Sequence, residues 1–96
     1  MSVVIAGGHD RLVFKYKQIA AAYNFKVKVF TQLPTNFKKQ IGTPNLIILF
    51  TNTVSHNMVH CAISKAVKAK SQIIRSHNSS ATALIGILSN FSLSQS

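Results

Sequence analysis

Two short stretches of this chain are apolar and rich in β-branched residues: Ser2-Val3-Val4-Ile5-Ala6, closed by Gly7-Gly8, and Leu46-Ile47-Ile48-Leu49-Phe50. Runs this short that do not alternate with polar residues read as strands covered on both faces. A strand of that kind belongs to a sheet sandwiched between helices, and the intervening segments have helical period. From Asp10 to Tyr23, Leu12, Tyr16, Ile19, Ala20 and Tyr23 recur at helical spacing, with Asp10 expected as N-cap. Thr35 to Ile41 suits a short helix capped by Thr35 and stopped by Gly42. Ser55 to about Lys70 predicts a third helix, with Met58, Cys61, Ala62, Lys65 and Ala69 along one stripe. After a short strand at Gln72 to Arg75, Ser79 or Ser80 caps a last helix. Its inner face is Ala81, Leu84, Ile85, Leu88 and Phe91, and residues 92–96 are expected to fray.

Lys26-Val27-Lys28-Val29-Phe30 alternates instead, as a half-exposed edge strand does. The order is therefore β-α-β-α-β-α-β-α, which implies an α/β fold. The sheet is parallel and four-stranded, with helices on both faces and right-handed crossovers. Central placement of the two continuous strands gives the order 2-1-3-4. The expected architecture is a small Rossmann- or flavodoxin-like three-layer sandwich, one domain over residues 1–91. Its topological switch point, where open α/β sheets bind ligands, falls between the first and third strands.

Three of the four histidines sit in loops that leave predicted strands at that edge: His9, His56 and His77. Imidazole there can ligate a metal or haem iron, move protons, pair with an anion or simply close local hydrogen bonds. The bland reading is strong for any one of them and weaker for three on one rim. Gly7-Gly8 ahead of a helix offers backbone N–H groups to an anion, although it lacks the third glycine of a dinucleotide fingerprint and the acid that follows it. Ser79 and Ser80 offer donors at another helix start, where N-capping is the plainer role. Arg11 and Arg75 are near the same rim and suit bidentate anion binding. His56 and His60 share a helix face, yet the rest of a zinc motif is missing, so His60 reads as a solvated bystander. The lone cysteine, Cys61, reads as small core packing.

Charge narrows the chemistry further. Eleven lysines and arginines face one acid, Asp10, for a net charge of +10. Paired carboxylates for acid/base work and carboxylate cages for Mg²⁺ or Ca²⁺ are excluded within one chain. A receiver domain needs a phosphoacceptor aspartate after its third strand, where this chain has Thr51-Asn52-Thr53. A cysteine phosphatase needs cysteine after the first strand, where His9 stands. The basic surface attracts anions, so nucleic acid is a possible partner, but no DNA or RNA motif is present. No apolar run is long enough to span a membrane, no signal peptide is expected, and one cysteine fits a reducing, cytoplasmic setting.

Three segments together carry a family resemblance: residues 2–11 (Ser-Val-Val-Ile-Ala-Gly-Gly-His-Asp-Arg), residues 46–56 (Leu-Ile-Ile-Leu-Phe-Thr-Asn-Thr-Val-Ser-His) and residues 75–80 (Arg-Ser-His-Asn-Ser-Ser). They resemble the bacterial "domain of unknown function 2325" family over nearly the whole chain. That resemblance implies a small Rossmann-like domain. It associates haem with the matched histidines, His9, His56 and His77, as axial-ligand candidates. His60 lies outside the family pattern, and Asn78 stands where serine is common.

The leading expectation is a non-enzymatic cofactor-binding or sensor module. It would hold haem, or another transition metal, through His9, His56 or His77. Gly7, Gly8, Arg11, Asn52, Arg75, Ser79 and Ser80 complete the expected binding set. So small an open rim cannot enclose a porphyrin alone, so a homodimer is expected to supply both walls. The alternatives are a nucleotide or phosphate-anion module built on Gly7, Gly8, Ser79 and Ser80, and a basic nucleic-acid-binding protein.

Overall fold

The computed structural model describes residues 1–95. Strand β1 (Ser2–Ala6) leads through one 3₁₀ turn (Asp10–Leu12) into α1 (Val13–Ala22), then β2 (Lys26–Phe30) and α2 (Phe37–Ile41). Strand β3 (Leu46–Phe50) is followed by α3 (His56–Ala69), β4 (Gln72–Ser76) and α4 (Ala81–Gln95). All pairings are parallel and the strand order is β2-β1-β3-β4. Every residue of β3 is fully buried, as is β1 from Val3 onward. Their continuous apolar character thus reflects helices on both faces. On edge strand β2, Lys26 and Lys28 are exposed while Val27 and Val29 are half-buried, so the charges decorate an open edge and discourage strand addition.

Alternation along the strands divides the core in two. Val3, Ile5, Leu46, Ile48 and Phe50 pack with Tyr16, Ile19 and Ala20 of α1 and Leu84, Leu88 and Phe91 of α4. Val4, Ala6, Ile47 and Leu49 face Phe37 and Ile41 of α2 and Met58, Ala62 and Ala66 of α3. Cys61 is a free, partly buried thiol packed at the margin of this second cluster.

Several local expectations are corrected. Asp10 does not cap α1: its own carbonyl accepts from Val13 N–H, so it lies inside the 3₁₀ turn, and its carboxylate accepts from the Thr31 hydroxyl. Thr35 does not cap α2, which begins at Phe37 with Asn36 before it. Ile85 is 43% exposed, because the buried stripe of α4 runs through positions 84, 88 and 91 and leaves residue 85 a turn-fraction to one side. Ser55 caps α3 by accepting from Met58 N–H at 3.3 Å, and Ser80 caps α4 by accepting from Ala83 N–H at 3.1 Å. The stretch expected to fray from Ser92 falls on the last turn of α4, and Ser96 lies outside the described residues. Among the described residues no helix is long and apolar enough to cross a membrane.

Candidate functional site

The loops after β1, β3 and β4 share the carboxyl edge of the sheet, and hydrogen bonds lock them to one another. Gly7 and Gly8 have φ of +98° and +92°, a region that side chains rarely adopt. Gly7 N–H donates to the Phe30 carbonyl at 2.8 Å and Gly8 N–H donates to Thr53 Oγ1 at 2.6 Å. The next amide, His9 N–H, points to the Tyr16 hydroxyl at 3.4 Å. The Gly7 and Gly8 amides expected to face an anion thus donate within the protein. What the double glycine provides is closeness. A Cβ on Gly8 would sit 2.7 Å from the Tyr16 ring, and one on Gly7 would sit 3.0 Å from Thr53 Oγ1 and the Phe50 carbonyl.

Tyr16 ties the first loop to the last. It is fully buried, and its hydroxyl donates to the Ser79 carbonyl at 2.5 Å. Burial pushes its phenol above the ordinary value, against the lowering effect of its contacts at His9 and Ser79. Ser79 is itself buried, and the Ser80 hydroxyl is occupied in capping α4. Ser80 N–H donates to Asn78 Oδ1 at 2.9 Å. The two serines thus close the loop onto the fold, and these contacts do not hold them open for an anion.

At the switch point, the Phe50 carbonyl accepts from the N–H groups of Thr53 and Val54, both at 3.0 Å, and Thr53 Oγ1 then meets Gly8. The β1 and β3 loops are stitched together there. Two cavities lie elsewhere. One of about 240 Å³ opens at the amino edge beside Ser2, Lys26 and Gly42, and a shallower one of about 390 Å³ lies beside Phe37, Lys38 and Cys61.

A family model described as an uncharacterized protein conserved in bacteria (DUF2325) matches residues 2–91. The chain belongs to that family. No curated protein and no solved structure matches it.

In this DUF2325 chain the exposed chemistry of the rim is cationic and imidazole-bearing. His9, Arg11, Asn52, His56, Arg75 and His77 all face solvent. Arg75 pairs in register with Leu49, which places it on the α2/α3 side of the sheet. Among the described residues no group of three or more His, Cys, Asp or Glu side chains gathers to hold a metal ion. His9, His56 and His77 therefore share an edge without forming a joint ligand set. The close pair is a different one: His56 Nε2 lies 3.0 Å from His60 Nε2. The i, i+4 spacing was the visible signal for it. Tyr16 and Thr53, which organise the rim, carried no signal beyond a helical stripe and a loop position.

Proposed function

We propose that this chain is a non-enzymatic cofactor-binding or sensor module that takes haem at the carboxyl edge of its sheet. The supporting observation is the set of exposed imidazoles leaving three adjacent parallel strands, with no free carboxylate among them. The chain's only acid, Asp10, is engaged by Thr31. The donor chemistry fits haem better than a self-contained zinc centre. Haem brings its own porphyrin nitrogens and asks the protein for an axial imidazole, whereas a structural zinc site needs several gathered ligands. Arg11 and Arg75, both exposed, suit the propionates. Because the switch-point crevice is bridged by Thr53 and Gly8, the porphyrin would lie on the rim, and a second copy would supply its other wall. A cytoplasmic homodimer is the form in which we expect it to act.

Titration with haemin tests this. We expect a saturable Soret shift that His9→Ala, His56→Ala or His77→Ala diminishes, with the largest effect marking the axial ligand. Absence of any shift at stoichiometric haemin refutes the reading.

A further inference from the structure

We infer that His56 and His60 form a chelate for a divalent late transition-metal ion, Ni²⁺ or Cu²⁺, on the first turns of α3. Both rings are exposed and stand edge to face, with centroids 4.4 Å apart and planes at 81°. Their Nε2 atoms are 3.0 Å apart. Metal–imidazole bonds of about 2.0–2.1 Å put two nitrogens about 2.8–3.0 Å apart at a right-angled corner and about 3.4 Å apart at a tetrahedral one. The observed separation matches the right angle, which is the geometry of tetragonal Cu²⁺ and Ni²⁺ sites. The two rings hydrogen-bond to each other at this separation, a contact that contributes little on an exposed helix face where water competes for both rings.

The backbone holds the pair in place. Ser55 caps the helix through Met58 N–H, and Val59 N–H donates to the Ser55 carbonyl at 3.1 Å, so His56 and His60 project from a formed turn. The positive end of the α3 dipole opposes a cation and costs roughly two- to fivefold in affinity. A chelate gains more than that over a single imidazole. Imidazole must be neutral to ligate, so acidification releases the ion. The pair shares His56 with the haem reading and adds His60, and it leaves His9 and His77 to serve as axial ligands.

The test is calorimetric titration of the full chain with nickel chloride, with His60→Gln, His9→Gln and His77→Gln alongside, each checked for helical content by circular dichroism. A copper-loaded sample is followed by electron paramagnetic resonance. The unaltered chain should bind nickel saturably. His60→Gln should weaken binding by at least about tenfold and remove one of two nitrogen couplings from the copper spectrum, while His9→Gln and His77→Gln leave both unchanged. Equal nickel affinity in His60→Gln, an equal loss in His9→Gln or His77→Gln, or no saturable binding each overturns the proposal. Haemin titration of His60→Gln reports separately on the haem reading.

Discussion

Replacing Tyr16 by phenylalanine removes a single oxygen atom from the hub of the rim. That hydroxyl donates to the Ser79 carbonyl at 2.5 Å and lies 3.4 Å from His9 N–H. The second contact is too long to contribute much. The first matters because both partners are sealed from water, with Tyr16 at 0% and Ser79 at 4% exposure. The mutation leaves the Ser79 carbonyl buried without its donor, which costs about 1–3 kcal/mol. For a chain of this size that lowers Tm by roughly 4–8 °C per kcal/mol. Urea unfolding should show a lower midpoint with an unchanged slope, because the surface exposed on unfolding is nearly the same.

A second readout comes from pH. Burial holds the Tyr16 phenol above its ordinary value, so the folded chain keeps a proton that the unfolded chain releases above about pH 10. The unfolded state then binds fewer protons, and stability falls as pH rises, by at most about 1.4 kcal/mol per pH unit for this group. The contribution is complete below about pH 10 and is lost as pH climbs toward the raised value. Tyr16→Phe lacks it, so the gap between the two proteins should narrow at high pH. A variant as stable as the parent at neutral pH, or a gap that does not change at high pH, refutes the assignment of Tyr16 as the buried link.

Gly8→Ala should destabilise the fold by roughly 2–5 kcal/mol, from a left-handed backbone and a Cβ 2.7 Å from the buried Tyr16 ring; chemical denaturation measures it, and a loss under about 1 kcal/mol contradicts the close packing. Ser80→Ala should cost about 1 kcal/mol through the lost α4 cap, and Ser79→Ala less, because Ser79 contributes its carbonyl. Thermal melts of the two side by side decide which serine caps.

Much of the architecture was legible from local pattern. The strand spans at Ser2–Ala6, Lys26–Phe30 and Leu46–Phe50 are those expected. The order 2-1-3-4 followed from which strands were continuous and which alternated, because apolar period reports how many faces of a strand are covered. Caps were read less well. Asp10, Thr35 and Ser80 have equivalent capping chemistry, and only the path of the chain before each helix decides which side chain meets a free N–H.

The site divides along the same line. Sequence alone determined that the carboxyl edge carries histidines, that the chain has one acid, and that His56 and His60 share a helix face. Tertiary structure alone decided what those residues meet. The Gly7-Gly8 amides were taken by Phe30 and Thr53, the latter 45 positions from Gly8. Tyr16, read only as a core residue, became the tie to Ser79, 63 positions away. His60, set aside as a bystander, became the nearest partner of His56. A periodic pattern encodes burial, which is nearly additive along the chain. A hydrogen bond or a ligand pair needs atoms within about 3 Å, and that proximity exists only once the loops are packed.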